Sequence, residues 1–236
     1  MKTCSKWRIK GEGFSQRGYS HIRSGLPDQD NYLIRIKPFL KVFVVADGLG
    51  SHKYSAIGSK KVCLAVYKTF LSYCHGTIKE EDICQSVEKE YQASLRTHQL
   101  AEAGTTCIFA AIVGDSLFVG QAGDGLCCVN LNGKFMATSK KNTDFTNEVS
   151  ALSGDKQFTH WKFRKIDLSD VSKLDILLMT DGISEDVLPD KYTDFTMYVV
   201  DSMFNGKKAV RKIIKEWSVP GAIDDKTMVA VRILKK

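Results

Sequence analysis

Two short apolar runs in the chain end in Asp-Gly, "VFVVADG" at residues 42–48 and "ILLMTDG" at residues 176–182. A continuous apolar run of this length is typical of a strand that is buried on both faces, and such strands lie inside layered folds. Asp-Gly is also one of the strongest turn signals. Asp47 and Asp181 could therefore begin ordinary turns, or they could be carboxylates held at strand ends for chemistry.

The order of the other predicted elements favours an α+β fold. Gly114-Asp115 and Asn132-Gly133 each join two strand-like segments, which predicts antiparallel hairpins. The segments with helical periodicity come in pairs. In a parallel doubly wound sheet, by contrast, helices and strands would alternate along the chain. We therefore expect antiparallel sheets covered by helix pairs on their outer faces. The predicted strands are 31–37, 42–46, 105–113, 116–123, 125–131, 133–138, 175–180 and 227–234, and the predicted helices are 55–75, 81–101, 192–204 and 207–218.

Composition is that of an ordinary globular protein, with 43% hydrophobic and 26% charged residues among 236. No Pro-, Gly- or Ser-rich linker interrupts the chain, so we expect one domain over residues 1–236. No run approaches the ~20 apolar residues of a membrane span, and residues 1–10 lack the apolar core of a leader peptide. The expected protein does not bind membranes and is cytoplasmic. His98 continues an apolar helical stripe within 81–101 and is expected in the core, not as a ligand.

Charge and cysteine usage narrow the function classes. The net charge of +7 is spread over the chain in isolated Lys and Arg pairs, whereas nucleic-acid binding would need a concentrated basic face. We expect no nucleic-acid partner. The seven cysteines include no CxxC pair and lie mostly in apolar segments. That pattern predicts buried, reduced thiols and no zinc site.

Carboxylates recur at the ends of the other predicted strands. Asp124 follows the strand that ends in "GQAG", and two acidic pairs precede further strands, in "PDQDNY" and "DDKTMVAV". Several carboxylates that converge without a Lys or Arg partner repel one another unless a cation lies among them. Oxygen-only ligand sets select hard divalent ions such as Mg²⁺ and Mn²⁺. The recurrence therefore favours a metal site over a series of unrelated turns.

In this order, the motifs "DQDNY", "VVADGLGSH", "GTTCIFAAI", "QAGDG", "LLMTDGIS" and "DDKTMVAV" resemble the metal-dependent, type 2C protein Ser/Thr phosphatases, in particular their compact bacterial branch. The resemblance extends over residues 11–233. It implies an αββα sandwich fold. It also implies hydrolysis of phosphoserine and phosphothreonine by a water that bridges two Mn²⁺ or Mg²⁺ ions, without a covalent enzyme intermediate. The implied partners are a phosphorylated protein substrate and a cognate Ser/Thr kinase, and we expect a monomer.

The resemblance also assigns roles to individual residues. Asp47 corresponds to the ligand that bridges both ions, and the carbonyl of Gly48 joins one of them. Asp30 corresponds to the acidic residue that orients the attacking water. The remaining roles fall to Asp181 and Asp224, as ligands of the other ion, and to Asp124 with Glu185, as ligands of a third ion.

The sequence departs from the family pattern at several of these positions. The family usually has a phosphate-binding Arg five residues before the position of Asp30, where this chain has Gly25. Arg23 or His21 could replace it, or the metal ions alone could hold the phosphate. The usual Asp-Asn before the last strand is Asp224-Asp225 here, which leaves Asp225 as a neighbouring candidate ligand. At the third ion site, Glu185 stands where the family usually has Asp. His52 of "DGLGSH" is either a catalytic residue or a loop residue bonded to backbone.

Three other functions are compatible with parts of the pattern. A phosphatase-fold binding module without activity would be expected to have lost some core carboxylates, and all four core positions are acidic. An aspartyl-phosphate phosphatase would use the Asp-x-Asp of "DQD" as nucleophile, but that nucleophile should follow an apolar strand, and here it follows "SGLP". A basic nucleic-acid-binding protein would leave the carboxylates unexplained.

Overall fold

The computed structural model describes residues 7–138, 151–153, 160–219 and 221–235. The strands in these ranges are β1 (Trp7–Gln16), β2 (Asn31–Ile36), β3 (Leu40–Ala46), β4 (Cys107–Val113), β5 (Ser116–Ala122), β6 (Leu126–Leu131), β7 (Lys134–Ala137), β8 (Lys162–Asp167), β9 (Lys173–Met179) and β10 (Lys226–Lys235). They form two antiparallel five-stranded sheets. Sheet A has the order β1-β10-β9-β6-β7, and sheet B has the order β2-β3-β4-β5-β8.

Helices cover the outer face of each sheet. The α-helices are α1 (Tyr19–Ser24), α2 (Ser55–Cys74), α3 (Ile83–Ala93), α4 (Asp181–Ser184), α5 (Tyr192–Asn205) and α6 (Ala209–Lys215), and the 3₁₀ helices are Glu80–Asp82, Thr97–Glu102 and Pro189–Lys191. The pair α2 and α3 packs on sheet B, and the pair α5 and α6 packs on sheet A. The result is the expected αββα sandwich.

Strand β3 shows why its sequence is continuously apolar. Successive strand residues point to opposite faces of a sheet. Val42, Val44 and Ala46 pack in the core beneath α2, whereas Phe43 and Val45 pack in the core between the two sheets. Both faces of the strand are therefore inside the molecule.

Strand β9 has the same arrangement in sheet A. Ile176 and Leu178 enter the core between the sheets, and Leu177 and Met179 face α5 and α6. The two strands that precede Asp47 and Asp181 are thus interior strands of opposite sheets. Their ends are fixed by packing on both sides, which holds the two aspartates in defined positions.

The single helix predicted over 81–101 is wrong in its second half. Helix α3 ends at Ala93, and the chain continues through a bend into the 3₁₀ helix Thr97–Glu102. His98, expected in the core, is exposed and meets the Tyr54 ring edge-on at a centroid distance of 5.5 Å. The apolar periodicity of the segment is therefore shared between two short helices and does not continue as one stripe.

Sequence patterns do not predict β1, β8, α1 or α4, which have short or mixed polar sequences. The other predicted elements are present with ends shifted by a few residues, and both hairpins pair as expected. The cysteines in the described ranges are free, and most are buried, whereas Cys4 lies outside those ranges. No helix in the described part of the chain is long and apolar enough to span a membrane.

Candidate metal-dependent active site

Asp47 is fixed by its backbone at the end of β3. Its N–H donates to Thr106 Oγ1 at 2.9 Å, and its carbonyl accepts the Thr106 N–H at 2.7 Å and the Thr105 hydroxyl at 2.8 Å. The carboxylate takes no part in these bonds. The backbone therefore positions the side chain, which stays available for another partner.

Gly48 allows three segments to approach at this point. Its N–H donates to the carbonyl of Gln29 at 3.2 Å. A Cβ atom at position 48 would lie 2.8 Å from that same carbonyl oxygen and 2.8 Å from Ser55. No side chain fits there, so the Asp-Gly pair serves close packing of the site loops in addition to any turn.

Asp30 lies beside Asp47 and is only 3% exposed. Thr180 Oγ1, at the end of β9, donates to its Oδ2 at 2.8 Å and accepts the Thr227 N–H of β10 at 3.0 Å. Asp30 Oδ1 is buried and has no hydrogen-bond partner among the described residues. One carboxylate oxygen is thus anchored by Thr180, and the carboxyl group lies against the side chain of Asp47.

Asp181 is the first residue of α4, where its Oδ1 accepts the N–H of Gly182 at 2.7 Å. Burial raises the pKa of Asp181 to about 6, and the charges of Asp124, Asp224 and, more weakly, Glu185 add to the effect. Asp124 and Glu185 are therefore electrostatic neighbours of Asp181, although Glu185 is exposed.

Asp224 and Asp225 have different surroundings. Asp225 is 2% exposed, and its carboxylate accepts the N–H groups of Gly18 and Gln29, both at 2.6 Å, and contacts His21 Nδ1 at 2.9 Å. Asp224 is exposed, and its carboxylate accepts one hydrogen bond from the described residues, from the N–H of Asp225 at 2.8 Å. The side chain of Asp225 is saturated by its structural contacts, so Asp224 is the member of the pair that could bind an ion.

The carboxyl groups of the cluster resist ionisation together. Burial, together with the nearby carboxylates of Asp30, Asp181 and Asp224, raises the pKa of Asp47 far above its usual range. Burial likewise raises the pKa of Asp30. Within the described residues, none of these four carboxylates forms an ion pair with Lys, Arg or His. Lys226, the nearest cation in sequence, instead donates to the carbonyls of Ala222 and Asp224 at 2.9 and 2.8 Å.

These residues fit a divalent cation by their chemistry. The donors are oxygens, the ligand class of Mg²⁺ and Mn²⁺, and the buried Asp30 Oδ1 lacks a partner. In the ranges that the structure describes, however, no three His, Cys, Asp or Glu side chains are already closed around one ion position. The carboxylates are therefore neighbours that an ion would draw together, not a preformed cage.

The family model that describes protein phosphatase 2C matches residues 17–217 of the sequence. The chain belongs to the protein phosphatase 2C family. A comparison with curated protein sequences finds no match. The phosphatase 2C assignment thus depends on the family model, and the solved structures agree with it in fold.

Three solved structures show how widely this phosphatase 2C fold is shared. RsbX in complex with magnesium has a TM-score of 0.63 and 16% identity, over 95% of each chain. PppA, described as a key regulatory component of T6SS in Pseudomonas aeruginosa, has a TM-score of 0.63 and 18% identity, over 96% of this chain and 98% of that one. The catalytic domain of PstP with two manganese ions has a TM-score of 0.64 and 16% identity, over 97% of this chain and 100% of that one.

Gly25 is the position where the resemblance to the phosphatase 2C family places a phosphate-binding Arg. Gly25 ends α1 with a φ of 74°, in the left-handed region that favours glycine. An arginine at this position would be strained. Of its two candidate substitutes, His21 is engaged with Asp225, whereas Arg23 is exposed on α1.

His52 of this phosphatase 2C chain is bonded to backbone. Its Nδ1 accepts the N–H of Gly104 at 3.0 Å, and a Cβ atom on Gly104 would lie 2.7 Å from the ring. The imidazole therefore joins the loop after β3 to the segment before β4. This geometry favours the loop interpretation of His52 over a catalytic one.

Sequence reasoning missed Thr180 and Thr227, and it named Asp225 only as a candidate ligand. Thr180 and Thr227 link Asp30 to sheet A, and Asp225 links β10 to α1 and to the loop before β2. The "MTDG" and "DDKT" motifs contain all three residues. Their side-chain roles depend on contacts about 50 to 200 residues apart in the chain, which no local pattern reveals.

We expect Asp225→Asn to destabilise the metal-free protein. The amide would point an N–H₂ group at one of the two backbone donors, so one buried donor would lose its acceptor at a cost of about 2 kcal/mol. Denaturant unfolding in the presence of chelator measures this. The matched control is Asp224→Asn, which keeps the oxygen that accepts the Asp225 N–H. Equal destabilisation by the two substitutions would contradict the distinction between these aspartates.

Proposed function

We propose that this protein is a metal-dependent phosphatase that hydrolyses phosphoserine and phosphothreonine in proteins. The observation that carries the proposal is the convergence of Asp30, Asp47, Asp181 and Asp224 without a Lys or Arg partner among the described residues. The membership of the phosphatase 2C family supports the reaction class. The family neighbours that contain magnesium or manganese support the choice of ions.

In this proposal, Asp47 with the Gly48 carbonyl, Asp181 and Asp224 hold two ions, Mn²⁺ or Mg²⁺. Bound ions of this kind supply a Lewis acid for phosphoryl oxygens and lower the pKa of water. Asp124 and Glu185 are placed beside Asp181, where a third ion could share them. The exposed position of Glu185 makes that third site the weakest of the set.

Asp30 acts as the group that orients the attacking water. Thr180 anchors Oδ2, so Oδ1 is the atom that accepts a hydrogen bond from water. The geometry thus supports the role that the resemblance to the family also implies.

A covalent thiol mechanism is disfavoured. Burial raises the pKa of Cys63, Cys107 and Cys127 well above the usual range of a thiol, which leaves them protonated. Cys84 is partly buried, and its pKa is raised to about 12. Direct attack by water on phosphorus therefore agrees better with the described cysteines than a phosphocysteine intermediate does.

Arg23 is proposed to bind the substrate phosphate in place of the missing family arginine. We expect Arg23→Ala to raise KM for a phosphothreonine peptide by about tenfold and to lower kcat less. A raised KM with a smaller change in kcat indicates loss of an interaction that binds the substrate and the transition state about equally. Steady-state kinetics measure it, and Arg35→Ala, an exposed arginine on β2, is the control. If Arg23→Ala changes neither constant and His21→Ala raises KM, the phosphate-binding residue is His21.

The single most direct test of the function compares turnover of an aryl phosphate and of a phosphothreonine peptide with Mn²⁺, with Mg²⁺ and with chelator. The proposal requires hydrolysis that chelator abolishes and either ion restores. The replacement of the family arginine by Gly25 favours a second candidate, a phosphatase-fold module that binds phosphoproteins with little or no turnover. Binding of the phosphopeptide without hydrolysis under all three conditions would establish that alternative.

A further inference from the structure

Helix α1 lies at the candidate active site with its side chains outside the core. None of its six residues is buried, and Tyr19 and Ile22 are 60% and 51% exposed. Surface helices ordinarily turn their apolar residues toward the core. The exposed apolar side chains of α1 therefore contribute little to the stability of the fold.

The helix is nevertheless held firmly beside Asp224. The N–H of Ser20 donates to the carbonyl of Ile223 at 3.0 Å, and the N–H of Gly18 donates to Asp225 Oδ1 at 2.6 Å. A Cβ atom on Gly18 would lie 2.3 Å from the carbonyl carbon of Asp224. The start of α1 thus packs directly on the backbone of a candidate metal ligand.

Between α1 and the loop before β10 lies a groove of about 420 Å³, which we name the α1 groove; it is lined by Tyr19, Ser20, Arg23, Ser24 and Ile223. Ile223 is 53% exposed and directly precedes Asp224. Residues 17–27 contain two arginines and no acidic residue. The groove therefore combines the exposed side chains of Tyr19 and Ile223 with the charge of Arg23, and Ile223 connects it along the chain to Asp224.

We propose that the α1 groove binds the substrate segment next to the phosphoresidue and selects an apolar side chain there. This inference depends on the proposed phosphatase function. Residues two apart in an extended peptide lie about 7 Å apart on the same side. A phosphate at the Asp224 end of the groove would therefore place a neighbouring side chain between Tyr19 and Ile223, while Arg23 complements the charge of the phosphate.

Two features favour a substrate segment in the groove over a second copy of the chain. They are the continuity of the groove with the candidate active site and the charge of Arg23. A stable dimer buries about 800 Å² per partner, much more than a groove of this size provides. A short extended peptide segment matches its scale, since pockets of about 300–1,000 Å³ hold drug-sized ligands. The groove would thus determine which phosphorylated sequences are hydrolysed, and it would act together with the residues that carry out the reaction.

The test uses two phosphothreonine peptides that differ only in a leucine or a glycine two residues from the phosphothreonine, on each side in turn. For the wild-type protein we expect kcat/KM to be about tenfold higher for the leucine peptide, on at least one side. Tyr19→Ser should reduce this ratio to nearly one, and Tyr19→Phe should retain it. The matched control is Tyr198→Ser on α5, because Tyr198 is 59% exposed and lies outside the groove.

Several outcomes would overturn the inference. One is a wild-type kcat/KM ratio of leucine to glycine peptide near one on both sides of the phosphothreonine. Another is a fall of this ratio in Tyr198→Ser equal to that in Tyr19→Ser. A third is a dimer in analytical sedimentation that Tyr19→Ser dissociates. If neither peptide nor an aryl phosphate is hydrolysed with Mn²⁺, the proposed function fails separately. The same peptides are then compared by fluorescence anisotropy, and equal affinities for the leucine and glycine peptides would overturn the groove as a docking site.

Discussion

Asp47→Asn is expected to lower kcat for a phosphothreonine peptide by roughly a thousandfold, since a bound-ion role is worth several kcal/mol of transition-state stabilisation. The fold should persist. Asn-Gly makes the same turn as Asp-Gly, and the bonds to Thr105 and Thr106 come from the backbone of residue 47. Single-turnover and steady-state assays with Mn²⁺ measure the loss, and circular dichroism checks the fold.

The matched control for this prediction is Asp115→Asn. Asp115 is exposed in the turn between β4 and β5, at the other end of the strands from Thr106, so its charge cannot contribute to the carboxylate cluster. We expect wild-type turnover from this variant. A folded Asp47→Asn protein that also retains the wild-type rate would refute the proposed mechanism, whatever the other carboxylates do.

The interior of the fold is the part that the sequence predicts best. Strands β3 and β9 are buried on both faces, so nearly every residue in them must be apolar, and the pattern is visible without any partner strand. Strands β1 and β8 lie at sheet edges with partly exposed side chains. Edge positions tolerate polar residues and glycine, which leaves little periodic signal to detect.

Helix prediction failed where the chain bends to reach another segment. The backbone after α3 turns so that the hydroxyl of Tyr91 donates to the carbonyl of Ala103 and the Gly104 carbonyl accepts the N–H of Leu49. These tertiary bonds outweigh the helical periodicity that continues through His98. Intrinsic periodicity is a weak signal against contacts of this kind.

The candidate site could be predicted in composition but not in detail. Carboxylates at strand ends show that a charged cluster is present. They do not show which of Asp224 and Asp225 faces it, because the direction of each side chain depends on the strand register and on partners near residue 20. The saturated contacts of Asp225 with Gly18, His21 and Gln29 distinguish the two aspartates, and only the three-dimensional structure contains that information.

Mn²⁺ is expected to raise the melting temperature of the wild-type protein by about 5–10 °C over the chelated protein. Binding to the native state alone stabilises by RT ln(1 + [L]/Kd), about 2.7 kcal/mol at a hundredfold excess over Kd. For a chain of this size, 1 kcal/mol shifts the midpoint by about 2–4 °C. Differential scanning fluorimetry with Mn²⁺ and with chelator measures the shift.

Asp47→Asn should remove most of that shift and should also stabilise the chelated protein. Because burial and neighbouring carboxylates raise the pKa of Asp47 in the folded state, its ionised form is less favourable there than in the unfolded chain. That penalty grows as the pH rises above about 4, the pKa of an unfolded aspartate. The chelated wild-type protein should therefore melt at a lower temperature at pH 8 than at pH 5.5. The melting temperature of chelated Asp47→Asn should fall less between pH 5.5 and pH 8, whereas that of Asp115→Asn should fall as much as the wild type's. If Mn²⁺ raised the melting temperature equally in the wild type and Asp47→Asn, Asp47 would be a turn residue and not a metal ligand.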